Sequence, residues 1–332
     1  EALFDGYSVK ACDPFRITRN SDVEIDDEAP DLLVEVQKSI KKRIEGEPVR
    51  LEILKKCDSD IKDFLIDKLK IKKNEIYKSA GPLDLTVFSK FANLDGCDAL
   101  RYEKLVPEYP AADFVGEEDI FAAIKERDRM IHCPYESFMS IVDFLEQAAD
   151  DPDVLAIKQT LYRVSGNSPV IAALIRAAQN GKQVTVLVEL KARFDEANNV
   201  EWAKKLEKAG CHVIYGLPGL KTHCKILTVI RREDDQLRSY MHLGTGNYNE
   251  STAKLYTDIG LFTCREEYGS DSVTLFNMLT SYAGSPVYKE FKVAPRDLRK
   301  FFEHMIKTET ENALKGKPAG ISAKINSLVD PK

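Results

Sequence analysis

The amino-acid sequence predicts an α+β module followed by an α/β domain on a mixed sheet, with the start of a second such domain after it. Three observations carry this expectation. Residues 14 to 78 mix short strands with helices in no fixed alternation. From residue 117 onward, helices and short apolar strands alternate strictly. The C-terminal end then resembles the helix-to-strand joint with which that alternation began, which reads either as the domain restarting or as two unrelated joints.

In chain order, Pro14–Arg19 and Pro48–Leu54 have the composition of strands. Pro30–Ile44 has apolar residues at Leu32, Leu33, Val36, Ile40 and Ile44, which is helical spacing behind the acidic cluster 24–28. Asp58–Lys70 repeats that pattern behind an Asp/Ser start. Val106–Pro110 and the acidic stretch after it read as a linker or a domain-packing loop. Next come a helix at Tyr135–Ala149 and a strand at Val154–Leu161, then a helix at Pro169–Asn180, stopped by Gly181, and a strand at Gln183–Leu190. A helix at Asn198–Ala209, stopped by Gly210, leads to strands at Cys211–Tyr215, Lys225–Arg231 and Ser239–Leu243. The last two are joined by the hairpin-like turn Arg232–Asp235, which makes the sheet mixed. At the end, a helix at Phe301–Leu314, a Gly/Pro break at 316–320 and a strand at Ile321–Asp330 parallel Phe138–Leu161, down to the pair Gln159-Thr160-Leu161 and Asn326-Ser327-Leu328.

The length, 332 residues, exceeds one ordinary core and implies two domains with a fragment of a third. With 43% hydrophobic and 31% charged residues, the chain has apolar mass enough to fold and is neither disordered nor fibrous. Lys+Arg number 48 against 54 Asp+Glu, a net charge of -6, which excludes nucleic acid as a partner held by bulk positive charge. It leaves room for a local basic pocket. No apolar run reaches the roughly 18 residues of a membrane span. The start, Glu1 to Gly6, has neither an initiator Met nor a signal pattern, so an excised fragment is expected. Seven dispersed cysteines, without a Cys-x-x-Cys pair, predict reduced thiols in a cytoplasmic protein, with no zinc site and no disulfide frame.

The chemistry concentrates in Gly219-Leu220-Lys221-Thr222-His223-Cys224-Lys225 and in His242-Leu243-Gly244-Thr245-Gly246-Asn247-Tyr248-Asn249. His223 and Lys225 stand two apart at a strand start, which predicts one shared face. An imidazole nucleophile beside an ammonium is what phosphoryl transfer requires. The small-residue turn Gly244–Asn247 lets backbone N–H groups approach phosphate oxygens. Arg163 follows one strand end, and Lys191 and Arg193 follow another, where α/β sheets bind ligands. Each arginine either meets phosphate or pairs with a local acid, Asp195 or Glu196. Tyr256 either joins the core or stacks on a base.

Together with Ile157–Arg163, Glu189–Glu196 and Ala253–Asp258, these motifs resemble polyphosphate kinase of the first type, a family whose catalytic half is two phospholipase D-like domains. Phe15–Asn20 resembles a strand of that family's head domain, so the resemblance covers essentially the whole chain. It implies a helical/mixed head (middle) domain at 1–115, a first phospholipase D-like α/β domain at 116–295, and the beginning of a second, truncated, at 296–332. By resemblance His223 is the histidine that ATP phosphorylates, and Arg163 and Arg193 belong to the magnesium and phosphate region. Tyr256 is similar to the residue that stacks on adenine, and Lys221, Lys225, His242, Asn247 and Asn249 line the substrate and nucleotide site.

The implied reaction is reversible transfer of the terminal phosphoryl of ATP to inorganic polyphosphate, with Mg2+ as cofactor and ATP/ADP and polyphosphate as ligands. A homo-oligomer at full length and peripheral association with the inner membrane face are implied as well. Two departures from the family pattern matter. The acidic residue that many phospholipase D relatives carry seven positions after the motif histidine is Ile230 here, which favours a phosphoryl carrier over a hydrolase. The family's N-terminal domain and most of its second catalytic domain lie outside residues 1–332, so this stretch alone is expected to bind nucleotide weakly and make little polymer. The alternatives are a phospholipase D-type phosphodiesterase and a non-catalytic phosphate-binding domain.

Overall fold

The computed structural model describes residues 6–21, 32–192, 195–217, 219–281 and 286–325. Strand β1 (Phe15–Arg19) pairs antiparallel with β2 (Pro48–Leu54), and β2 pairs parallel with β3 (Ile76–Ser79). Helix α1 (Leu32–Ile44) follows β1 and α2 (Ser59–Leu69) follows β2. Asp58 starts α2 by accepting from the N–H groups of Asp60 at 2.9 Å and Ile61 at 3.3 Å. Leu51, Ile53, Leu65 and Ile71 form a small core of their own. On α1, Val36 instead belongs to the main core.

Helix α3 (Ile120–Glu126) opens the larger unit, followed by β4 (Arg129–Cys133), α4 (Met139–Asp150) and β5 (Val154–Leu161). Next are α5 (Pro169–Gln179), β6 (Gln183–Val188), α6 (Glu196–Lys208) and β7 (His212–Ile214). Strands β8 (Lys225–Glu233), β9 (Gln236–Gly244) and β10 (Asp258–Thr263) complete the sheet, and α7 (Glu266–Ser281) and α8 (Leu298–Leu314) follow. Seven strands lie in the order β4-β10-β9-β8-β5-β6-β7. The β5-β6-β7 part is parallel and the rest antiparallel, so the sheet is mixed, as the hairpin-like turn predicts. Apolar residues of α3 to α6 cover one face, and Leu275, Phe276 and Leu279 of α7 cover the other with Leu187 and Ile226. Arg43 of α1 reaches Glu196 of α6 at 2.8 Å and ties the two units together.

Several expectations shift. The helix expected from Tyr135 begins at Met139, because a turn follows the unanticipated strand β4. Strand β6 ends at Val188, and β9 is longer than Ser239–Leu243. Residues 321–325 form no strand, and Asn326-Ser327-Leu328 lie outside the described residues. Strand β10 escaped notice because Gly260 interrupts its pattern. Glycine is required there: a Cβ would stand 2.4 Å from His242 Nε2 and 2.9 Å from Ile131 Cγ1.

Candidate active site

Topology alone gathers the motifs. Parallel strands β5 and β6 end at the same sheet edge. Strand β8, antiparallel to β5, starts from that edge, β9 returns to it, and β10 leaves from it. Tyr162-Arg163, Glu189–Lys191, Lys221–His223, Gly244–Asn249 and Tyr256–Asp258 therefore border one rim. A broader groove beside α4, lined by Glu117, Glu118, Asp119, Asp143, Glu146 and Asp150, is ringed by carboxylates and repels anions.

His223 lies two residues before β8, not within it, and is exposed, whereas Lys225 is buried. The two still meet at one partner, the ring of Tyr162. The imidazole stands 5.1 Å from it, centroid to centroid, at an interplanar angle of 84°. Lys225 Nζ lies 5.3 Å from the ring centre and donates to the His223 carbonyl at 2.5 Å. Arg163 lies 5.8 Å over the same ring and pairs with Asp195 at 3.0 Å, while Glu196 goes to Arg43. Partial burial, then the charges of Lys225 and Arg163, lower the His223 pKa from its ordinary 6.5, so the imidazole is neutral at pH 7. Burial also brings the Lys225 ammonium down to about 8, against the opposing pull of Asp258.

The segment carrying His223 is fastened from beneath. Glu189, 1% exposed, accepts from the N–H of Thr222 at 2.8 Å and from the N–H of Lys191 at 3.0 Å. Asn199 Nδ2, on α6, donates to the carbonyls of Tyr162 at 2.7 Å and Glu189 at 2.9 Å. Thr160 Oγ1 donates to the Cys224 carbonyl at 2.8 Å and accepts from Ile226 N–H at 3.1 Å. Loops from three strands thus share one hydrogen-bonded base.

The glycine turn works differently from its sequence reading. His242 is 2% exposed, with its Nδ1 2.9 Å from the Tyr248 hydroxyl, and burial drives its pKa down to about 3. It is a neutral, buried ring beneath the turn, and it lines a small cavity with Gly244, Gly246 and Asn247. A Cβ on Gly244 would stand 2.9 Å from His242 Cε1, and one on Gly246 would stand 2.5 Å from Asp258 Oδ2. Asn249 Oδ1 accepts from the N–H groups of Ser251 and Thr252, both at 3.0 Å, and so caps a short 3₁₀ turn. Asn247 is half-buried, and its Oδ1 has no hydrogen-bond partner among the described residues. Tyr256 is 58% exposed on the rim and Lys221 is exposed. Arg193 lies outside the described residues.

Within the expected magnesium and phosphate region, Arg163 suits the phosphate part, because a guanidinium is a cation and donates hydrogen bonds only. No cluster of three His, Cys, Asp or Glu able to hold an ion occurs among the described residues. The sequence reading passed over Tyr162, Glu189, Asn199 and Thr160. Of these, Thr160 and Tyr162 stand inside the motif Ile157–Arg163 and Glu189 opens the motif Glu189–Glu196, while Asn199 lies outside every motif.

A head with a mixed three-stranded sheet joined to a seven-stranded α/β domain, with a basic rim around a histidine, defines the class. The family model "Polyphosphate kinase C-terminal domain 1" matches residues 119–285, "Polyphosphate kinase middle domain" matches 1–91, and "Polyphosphate kinase C-terminal domain 2" matches 291–332. The chain belongs to the polyphosphate kinase family. It is 53% identical over 334 residues to a polyphosphate kinase of Halalkalibacterium halodurans, covering 99% of this chain and 47% of that protein. A polyphosphate kinase of Streptomyces coelicolor is 48% identical over 336 residues, covering 99% of this chain and 45% of that protein. The chain spans about half the length of the curated relatives it matches. The crystal structure of polyphosphate kinase from Porphyromonas gingivalis superposes with a TM-score of 0.71 at 28% identity, over 95% of this chain and 45% of that one. No helix among the described residues is long and apolar enough to cross a membrane.

Proposed function

We propose that this chain carries the phosphohistidine half-site of an enzyme that moves the terminal phosphoryl of ATP reversibly onto inorganic polyphosphate. One observation carries the proposal: a neutral imidazole, His223, shares an aromatic ring with the two cations Lys225 and Arg163. A His223 ring nitrogen attacks the γ-phosphorus, an N–P bond forms, and the P–O bond to ADP breaks with its electron pair leaving on ADP. A terminal oxygen of polyphosphate then attacks that phosphorus, the N–P bond breaks, and the chain is one phosphate longer. Lys225 and Arg163, with Lys221 and Arg193, hold the charge spread over the transferred oxygens. Magnesium would arrive with the nucleotide and would offset phosphate charge there, while the protein's own contribution is the cations Lys221, Lys225 and Arg163.

Tyr256, exposed on the rim, is suited to stack on adenine. Asn247 has a buried Oδ1 without a hydrogen-bond partner among the described residues and so keeps an acceptor to offer, whereas His242 and Asn249 act on the turn's shape. The domain division at 1–115, 116–295 and 296–332, homo-oligomerisation and peripheral membrane association form part of this proposal. The test uses a full-length polyphosphate kinase carrying residues 1–332. Incubation with γ-labelled ATP should leave acid-labile, base-stable label that is lost in His223→Ala. Label that persists in that variant overturns the assignment.

A further inference from the structure

We infer that Tyr162 is a positioning residue for phosphoryl transfer, its ring holding the His223 imidazole upright and gathering Lys225 and Arg163 beside it. This rests on the phosphohistidine reading above. The inference starts from convergence. Three of the charged or nucleophilic groups at the rim converge on this one ring: His223 at 5.1 Å, Lys225 at 5.3 Å and Arg163 at 5.8 Å from its centre.

Two like charges held close repel, and each also lies within the roughly 6 Å at which a ring's negative face attracts a cation. Before substrate arrives, the ring offsets that repulsion. When the anion arrives, both cations are already in place. The near-perpendicular contact restricts rotation of the imidazole, the preorganisation that keeps a nucleophile in attack geometry. Tyr162 is itself fixed through its carbonyl, which accepts from the buried Asn199 at 2.7 Å. Its hydroxyl makes no hydrogen bond among the described residues, so the ring is the working part.

The experiment compares Tyr162→Leu, Tyr162→Phe and a fluorinated phenylalanine at position 162, in a full-length polyphosphate kinase carrying residues 1–332. It measures the single-turnover rate of acid-labile labelling from γ-labelled ATP. Leucine should slow labelling about tenfold or more, with a smaller change in the ATP concentration needed for half-maximal rate, about 1.4 kcal/mol per tenfold. Phenylalanine should recover most of that rate. Fluorination keeps the shape and weakens the ring's negative face, so the rate should fall again. Equal rates for leucine and tyrosine, or for the fluorinated and plain rings, overturn the inference even if the leucine variant is less stable. Absence of label at His223 in the unmodified protein overturns the phosphohistidine reading instead.

Discussion

Glu189 is the most exacting place to test the geometry. Its carboxylate accepts two backbone N–H groups, that of Thr222, buried, at 2.8 Å and that of Lys191, part-buried, at 3.0 Å. In Glu189→Gln the side-chain oxygen serves one donor, and the amide turns its own N–H groups towards the other. One buried donor is stranded, at about 1–3 kcal/mol. Glu189→Leu strands both, about 2–6 kcal/mol, drawn towards the lower end because leucine ends the cost of keeping a carboxylate out of water. Urea unfolding of the two variants beside the parent, with unchanged m-values, measures these differences. Because Thr222 adjoins His223, the glutamine variant should also label more slowly with γ-labelled ATP. The reasoning is refuted if leucine costs no more than glutamine, or if both stay within about 0.5 kcal/mol of the parent.

Two further outcomes follow from the same geometry. The acidic fall of the labelling rate should have its midpoint below pH 6.5, because partial burial and the charges of Lys225 and Arg163 lower the His223 pKa from that value and the neutral form is the reactive one. The rate should fall on the alkaline side around pH 8, where Lys225 loses its proton, and Lys225→Arg should remove that alkaline limb; a rate rising through pH 8 in the parent contradicts this. Gly260→Ala forces a methyl group to 2.4 Å from His242 Nε2 in the middle of the sheet, and should cost about 1–3 kcal/mol in thermal unfolding. An unchanged melting temperature would show that the His242 ring has room to move.

Much of the architecture is legible in local pattern. Apolar spacing predicts α1, α2 and α5, and Gly181 and Gly210, both at positive φ, stop their helices as expected. The strands β4 and β10 were hidden for different reasons. Arg129–Cys133 is an edge strand with a buried arginine, a residue that reads as solvent-facing. In β10, Gly260 reads as a break, yet it answers to a ring on the neighbouring strand. The site shows the same division. His223, Lys225 and Arg163 stand out as residue types at strand ends, while the burial of His242, expected to line the site, is not legible in its motif.

The sequence by itself determined most of the run of helices and strands and the family, and it singled out His223, Lys225 and Arg163, because periodicity and short motifs are local properties. Only the tertiary structure decided that Tyr162 joins three of those groups and that Glu189 and Asn199 fasten the loops beneath them. Glu189 to Thr222 spans 33 positions, Tyr162 to Asn199 spans 37, and Thr160 to Cys224 spans 64. Contacts of that reach depend on strand order, and strand order follows from burying both faces of one sheet at once, a condition that no local segment records.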